Sequence, residues 1–126
     1  MKDNYRHLIF KTRDELSKVK LENVAYFEVD GNYTTVVFIN GLKLQILISL
    51  SSIEKLIDET LRGKIQPFIR IGKGYIVNSM YICHINVLKQ ILVLSDYVSP
   101  QIHTLHISKE ALKNLKELYK TKTTWK

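Results

Sequence analysis

Cysteine is almost absent from this chain of 126 residues, since Cys83 is the only one. No internal disulfide can form, and a reducing compartment is the simpler interpretation. Long apolar runs are missing too, because no stretch approaches the roughly 18 residues that a membrane-spanning helix needs. Residues 1–7 are polar and precede only a short apolar run, which does not fit a signal peptide. The sequence therefore predicts a cytoplasmic protein with no membrane partner.

Proline and glycine are scarce, with two and five residues, and they do not gather into a linker. There is also no internal repeat or low-complexity tract. We therefore expect one domain over residues 1–126, with a core at about 7–118 and a basic tail at 119–126. A chain of this length can bury an apolar core without disulfides or metals.

Signatures of catalysis and of metal binding are missing as well. Neither Gly-Lys pair has the earlier glycine of a P-loop, and no nucleophile elbow or paired-carboxylate pattern is present. Cys83 and His84 are adjacent on a predicted strand, so their side chains point to opposite faces. The three-residue spacing of His103 and His106 separates them in the same way. We expect no enzymatic activity, no metal and no cofactor.

Acidic residues are few in one half of the chain only. Residues 1–63 contain nine Lys or Arg and nine Asp or Glu, whereas residues 64–126 contain ten basic and three acidic residues. The whole net charge of +7 therefore lies in the C-terminal half. A one-sided basic field is typical of a polyanion-binding surface; lysine that serves only solubility is the alternative explanation.

Short segments rich in Val, Ile, Tyr, Phe and Thr, separated by turn signals, predict about ten strands. These are residues 7–12, 18–21, 24–29, 33–39, 42–48, 68–71, 75–77, 82–88, 91–94 and 102–107. Asn40-Gly41 and Lys89-Gln90 are the expected tight turns. Apolar residues at helical spacing predict two helices. One covers 51–61 with a capping box of Ser51 and Glu54. The other runs from the N-cap Ser108 to about residue 120 and has an apolar stripe of Ala111, Leu112, Leu115, Leu118 and Tyr119. The pattern predicts a mainly β (α+β) fold.

One predicted connection, Gly72-Lys73-Gly74, places a positive charge between two glycines. Glycine tolerates positive φ and lets the backbone approach a partner closely, so Lys73 is expected at a hairpin tip. Arg70 lies just before it and faces the side opposite its isoleucine neighbours. There it serves either a phosphate or a structural carboxylate such as Glu28. This pattern favours an anion as the ligand.

Six pieces of sequence carry a family resemblance: Glu22-Asn23-Val24-Ala25-Tyr26-Phe27-Glu28, Gly31-Asn32-Tyr33-Thr34, Ser49-Leu50, Phe68-Ile69-Arg70-Ile71, Tyr75-Ile76-Val77-Asn78 and Ile107-Ser108-Lys109. In their order and spacing, over about residues 7–118, they resemble the LytTR family of bacterial DNA-binding domains, and in this resemblance Ser49-Leu50 opens a helix.

The resemblance implies an elongated, mostly antiparallel β fold that binds duplex DNA through inter-strand loops in successive major grooves. Members of the family act as transcription regulators, often as output domains of two-component response regulators. We therefore expect double-stranded DNA with paired or repeated sites as the partner, and a second copy of the chain on that DNA. The chain has no room for a receiver domain, so we expect a stand-alone regulator or the output part of a larger one.

Three surfaces carry over from the family by position. Their candidate DNA-binding residues are Asn32, Tyr33 and Thr34, whose amide, hydroxyl and methyl groups suit base edges; Arg70, Gly72, Lys73 and Gly74; and His106, Ser108 and Lys109. The two glycines replace the usual His and Ser of the family, and Glu110 replaces a second basic residue. Base readout at the second surface therefore depends mainly on Lys73. His106 is either a phosphate contact or a satisfied edge residue.

Two alternatives stay open at this point. One is a small β adaptor that senses a ligand or binds an acidic protein. The other is a single-stranded nucleic-acid-binding module, which needs aromatic residues exposed on a sheet. Asn78 is expected to be a turn or capping residue. The aromatic residues expected in the core are Tyr26, Phe27, Phe38, Phe68 and Tyr81.

Overall fold

A computed structural model describes residues 6–119, and the two ends of the chain, including the predicted basic tail beyond Tyr119, lie outside the described residues. Residues 6–119 form ten strands: β1 His7–Lys11, β2 Leu16–Lys20, β3 Val24–Asp30, β4 Tyr33–Phe38, β5 Lys43–Ile46, β6 Phe68–Ile71, β7 Tyr75–Asn78, β8 Ile82–Asn86, β9 Ile91–Leu94 and β10 His103–His106. They also form helix α1, Leu50–Thr60, helix α2, Lys109–Glu117, and single 3-10 turns at Leu21–Asn23 and Ser79–Tyr81. The predicted mainly β fold is confirmed.

The strands form three sheets, and the pairings between them are antiparallel. The largest has the order β5-β4-β3-β7-β6, the second has the order β10-β9-β8, and β1 and β2 form a hairpin. Of these described elements, neither α-helix has the length and apolar content that a membrane crossing needs.

The five-stranded sheet has an apolar core on each face, because side chains alternate along its strands. Phe27 packs on one face with Ile53 of α1 and the β1–β2 hairpin. Tyr26 packs on the other face with Leu92 of β9 and Leu112 of α2. The sheet is therefore covered by α1 and the hairpin on one side, and by the three-stranded sheet and α2 on the other.

Both predicted tight turns are present. Gly41 joins β4 to β5 with a φ of +96°, and the Asn40 side chain accepts a hydrogen bond from the Leu42 amide at 3.0 Å. The turn between β8 and β9 has no glycine, yet Gln90 adopts a φ of 59° there. The Gln90 amide donates to the Val87 carbonyl at 3.1 Å.

The N-cap of helix α1 lies two residues before the one that the capping-box pattern predicts, and the helix begins at Leu50, as the family resemblance implies. Ser49 is its N-cap, and its hydroxyl accepts from the Ser52 amide at 3.1 Å. Leu50, the first helical residue, is buried in the core, and this burial determines the residue at which the helix starts. The predicted capping box of Ser51 and Glu54 is therefore wrong, and the Glu54 carboxylate has another partner.

Helix α2 ends earlier than predicted. Its last helical residue is Glu117, and the predicted end near residue 120 lies outside the described part of the chain. Leu112 and Leu115 are buried as expected. Leu118 and Tyr119 belong to the same predicted apolar stripe but are mostly exposed.

Asn78 is buried and has a structural role, as predicted. Its side-chain amide donates to the Val24 carbonyl at 3.0 Å, and its side-chain oxygen accepts from the Met80 amide at 3.0 Å. The aromatic residues predicted in the core are also found there; three are buried and two are half-buried, namely Tyr26, Phe27 and Phe68, then Phe38 and Tyr81. These side chains do not form an exposed stacking surface.

Candidate nucleic-acid interface

Two loops lie side by side at one end of the five-stranded sheet. Strands β3 and β7 pair so that Glu28 is opposite Tyr75, and the Val29 amide donates to the Gly74 carbonyl at 3.0 Å. We call residues 31–34 the first loop: Gly31 and Asn32 connect β3 to β4, and Tyr33 and Thr34 are the first two residues of β4. The second loop, residues 72–74, connects β6 to β7. The structure therefore brings together two surfaces that the sequence assigned separately.

The first loop exposes Asn32 and Tyr33. Gly31 has the positive φ of this turn, +63°, and Asn32 does not share that conformation. Asn32 is therefore not required for the backbone geometry, and its amide is available to a ligand. The Tyr33 side chain is 46% exposed beside it.

Thr34 does not present its side chain at this surface. It is 1% exposed, and its hydroxyl donates to the Ile48 carbonyl at 2.7 Å. Ile48 immediately precedes Ser49, the N-cap of α1. Thr34 was expected to contact a base edge, but its side chain is buried and its hydroxyl is already bonded to the Ile48 carbonyl. This corrects the expectation: Thr34 links β4 to the start of α1.

The second loop exposes Lys73 at the tip of the β6–β7 hairpin. Gly72 has a φ of +60°, although a Cβ atom there would meet nothing within 4 Å. Glycine is thus favoured at this position by backbone conformation and not by lack of space. Gly74 lies outside the left-handed region, and its carbonyl accepts the bond from Val29.

Arg70 is bound within the protein. Its Nη1 lies 3.1 Å from Oε1 of Glu54 in α1, and its Nη2 donates to the Lys73 carbonyl at 3.1 Å. Of the two roles that the sequence left open, the structure shows the structural carboxylate, and that carboxylate belongs to Glu54. Glu28 lies on the opposite face of the sheet and accepts from the Tyr75 hydroxyl at 3.1 Å.

A buried phenol, Tyr26, and a half-buried one, Tyr75, lie in the strands next to the two loops. Burial, followed by the nearby charge of Glu28 and by Tyr75, raises the pKa of Tyr26 to about 12. Burial and Glu28 also raise the pKa of Tyr75. Both hydroxyls therefore stay protonated at neutral pH, and Tyr75 donates to the Glu28 carboxylate.

Because Arg70 is paired, Lys73 is the cation that the second loop offers to a ligand.

The third surface is the start of α2. The Ser108 hydroxyl accepts from the Ala111 amide at 3.2 Å, which confirms Ser108 as the predicted N-cap. Lys109 is exposed in the first turn, where free backbone N–H groups favour an anion. His106 is exposed at the end of β10, whereas His103 is buried against the Ile39 carbonyl.

Helix α2 runs beside the second loop. A groove of about 250 Å³ between β6 and α2 is lined by residues of both elements, such as Ile71 and Ala111, and by Gly72 and Leu118, which directly follow them. The third surface thus begins a helix that borders the second loop. Within residues 6–119, no three His, Cys, Asp or Glu side chains are placed to hold a metal ion.

A family model described as the LytTr DNA-binding domain matches residues 14–120. The chain belongs to the LytTR family. The fold of this LytTR domain is similar to the solved LytTr DNA-binding domain of a methyl-accepting/DNA response regulator from Bacillus cereus, with a TM-score of 0.61 and 23% identity. The match covers 90% of this chain and 95% of that chain. At this identity the likeness shows a shared fold. No curated protein matches the sequence.

Family membership supports DNA binding and transcription regulation for this LytTR domain. One residue beside the candidate interface was missed from the sequence, namely Glu54. The sequence assigned the Glu54 carboxylate to the capping box of α1, so its contact with Arg70 was not predicted. The predicted direction of the Arg70 side chain, opposite to its isoleucine neighbours, could have indicated a partner in α1, because α1 covers that face of the sheet.

Proposed function

We propose that this LytTR domain binds specific duplex DNA sequences by placing its loops in successive major grooves, and that it acts as a transcription regulator or as the output domain of one. The observation that carries the proposal is the placement of the first and second loops side by side, with Val29 bonded to Gly74. Exposed Asn32 and Tyr33 thereby lie at the same end of the sheet as exposed Lys73.

The two loops divide the work of recognition. The Asn32 amide suits the paired acceptor and donor on an adenine edge. Lys73 suits a phosphate or the O6 and N7 atoms of guanine. Because Thr34 is buried and Arg70 is paired, Asn32 and Tyr33 set most of the sequence preference, and Lys73 supplies mainly affinity.

The third surface holds the DNA backbone. Lys109 supplies a positive charge next to the free N–H groups of the helix start, and His106 precedes them at the end of β10. Glu110, also in this first turn, opposes phosphate, which limits the surface to the residues nearest the N-cap.

Two copies of the domain occupy paired or repeated sites. Binding of two linked or neighbouring copies raises the effective concentration of the second. The stoichiometry on duplexes that carry one or two selected motifs tests this, with the spacing of the motifs varied in steps. One bound copy on every duplex would contradict it.

In vitro selection of bound duplexes from a random library, repeated across salt concentrations, tests the proposed function. We expect a short enriched motif and affinity that falls steeply with salt, because bound cations release condensed counterions. Failure to enrich any motif, together with affinity that is flat from low to moderate salt, would contradict the proposal.

The exposed aromatic residues do not favour a single-stranded ligand. Among described residues, the exposed tyrosines occupy three separate places: Tyr33 in the first loop, Tyr97 between β9 and β10, and Tyr119 after α2. Stacking of successive bases needs aromatic side chains along one surface. In competition, single-stranded DNA should displace the selected duplex only weakly.

Ligand sensing is a second candidate function, favoured by one groove. About 740 Å³ of space lies between the β1–β2 hairpin and β5, lined by apolar residues such as Ile9 and Leu47 and by polar Lys11 and Gln45. This volume falls in the range of about 300–1,000 Å³ for small-molecule sites. Tyr33 also lines the groove. DNA binding that requires an added small molecule would favour this candidate, whereas the main proposal expects binding without one.

A further inference from the structure

A continuous set of contacts leads from the core to Lys73. Glu54 lies in α1 between Ile53 and Ile57, which are both buried. Its carboxylate holds Nη1 of Arg70, and Nη2 of the same guanidinium donates to the Lys73 carbonyl. We propose that Glu54 and Arg70 are positioning residues that fix the second loop so that Lys73 meets DNA in one orientation. This inference rests on the proposed function.

The chemistry of arginine suits this role. Its planar guanidinium presents donors in a fixed fork, so one group can bind a carboxylate and a carbonyl at set directions. Glycine at position 72 leaves the loop with backbone freedom, and Lys73 has a long flexible stem. A bond to the Lys73 carbonyl restricts the backbone from which that stem projects.

The third nitrogen of the Arg70 guanidinium takes no part in these two contacts. Its Nε atom is buried and has no hydrogen-bond partner among the described residues. A buried donor without a partner lowers stability. The guanidinium therefore binds the Glu54 carboxylate and the Lys73 carbonyl through its two terminal nitrogens, while Nε has no partner among the described residues.

Charge and positioning predict opposite effects of removing the Glu54 carboxylate. By charge alone, the loss of a negative group near the second loop strengthens DNA binding. By positioning, the loss releases Arg70 and the loop, and binding weakens. Glu59 provides the matched control, because it is exposed on the same helix and Glu59→Gln changes the net charge by the same amount.

The first experiment compares Glu54→Gln and Glu59→Gln on a selected duplex by fluorescence anisotropy. We expect Glu54→Gln to bind about tenfold more weakly than the wild type, since the amide oxygen of glutamine still accepts from Arg70 but the ion pair is lost. Glu59→Gln should bind as well as the wild type or better. Equal strengthening by both variants would overturn the inference.

The second experiment separates positioning from direct contact. Arg70→Lys keeps the charge but not the fork, so it should weaken binding as much as Arg70→Ala does. In a Lys73→Ala background, both Arg70 variants and Glu54→Gln should have no further effect, because their action passes through Lys73. Retained affinity in Arg70→Lys, or full additivity with Lys73→Ala, would show a direct phosphate contact instead and overturn the inference.

A readout without DNA keeps the two proposals separate. Amide order parameters at Gly72, Lys73 and Gly74, measured by NMR relaxation, should fall in Glu54→Gln and stay unchanged in Glu59→Gln. Unfolding midpoints of the same samples check that both variants are folded. If the wild type fails to bind duplex DNA, the proposed function fails, and the order parameters still decide the positioning role. Unchanged loop order in folded Glu54→Gln would overturn it.

Discussion

The two glycines of the second loop differ in backbone conformation, and only one of them adopts a conformation that favours glycine. Gly72 has a φ of +60° and Gly74 does not, although nothing lies within 4 Å of a Cβ atom built on either. An alanine in the left-handed region costs about 1–2 kcal/mol. Gly72→Ala should therefore lower the free energy of unfolding by about that amount and weaken DNA binding through the misplaced Lys73.

Gly74→Ala is the matched control, since it adds the same methyl group without the backbone strain. It should leave stability within about 0.5 kcal/mol of the wild type, as for surface substitutions in general. Urea unfolding and binding to a selected duplex measure both effects. Equal effects of the two substitutions would contradict the conformational role of Gly72.

The buried phenol of Tyr26 makes stability sensitive to alkaline pH. Its pKa rises from the usual value near 10 to about 12 in the folded state, mainly because burial disfavours the phenolate. The folded state therefore holds this proton more tightly than the unfolded state. The resulting stability is fully present below about pH 10 and is lost as pH rises through about 12.

Tyr26→Phe should flatten this loss of unfolding free energy between about pH 10 and 12, by the order of 2 kcal/mol. The pKa of Tyr75 and that of Tyr81 are also raised by burial, so part of the slope remains in the variant. Urea unfolding at a series of alkaline pH values measures it. Identical slopes in wild type and variant would contradict the assignment to Tyr26.

At the scale of elements, helix α1 connects the two loops. Thr34 at the first loop bonds the carbonyl of Ile48 just before the helix, and Arg70 at the second loop binds Glu54 within it. One helix that packs in the core therefore contacts both loop regions, which the pairing of β3 with β7 already holds side by side.

Thr34→Val tests the link at the first loop. The substitution keeps the shape and burial but removes the hydroxyl, so the Ile48 carbonyl loses a donor. We expect the unfolding free energy to fall by about 1–3 kcal/mol. Thr34→Ser keeps the hydroxyl and should retain the bond, at the lesser cost of a lost methyl group. If Thr34→Val were as stable as the wild type, the bond would contribute nothing and the link would be incidental.

The strands and turns could be predicted because their signals are local. Asn40-Gly41 and the second loop follow from glycine and asparagine conformations, and Ser108 follows from N-cap chemistry. Local N-cap chemistry alone does not give the start of α1, because Ser49, Ser51 and Ser52 are all acceptable caps; the family resemblance, through Ser49-Leu50, gives it correctly. Burial of Leu50 in the tertiary structure decides among them.

The candidate site was predicted in position but not in its internal bonding. The run Thr34-Thr35-Val36-Val37 has no polar and apolar alternation, so the sequence does not show that Thr34 is buried. The partner of Arg70 lies on another element, and its identity depends on which face of the sheet α1 covers. Contacts of this kind follow from topology, which a local pattern does not contain.

At the scale of the whole molecule, the basic half of the chain supplies two of the three candidate surfaces. The basic excess lies in residues 64–126, which include the second loop and the start of α2. The first loop, from the neutral half, adds exposed polar groups with hydrogen-bonding capacity. Affinity and sequence preference should therefore be separable by mutation, which is the central claim of the proposed function.

The most direct test measures salt-dependent binding of Lys73→Ala and Asn32→Ala to a selected duplex and to a scrambled one. Lys73→Ala should weaken both duplexes together and reduce the salt slope by about one unit. Asn32→Ala should cost about 1–3 kcal/mol on the selected duplex only, with the slope unchanged. An intact preference in Asn32→Ala, combined with its loss in Lys73→Ala, would contradict the claim and reverse the roles of the two loops.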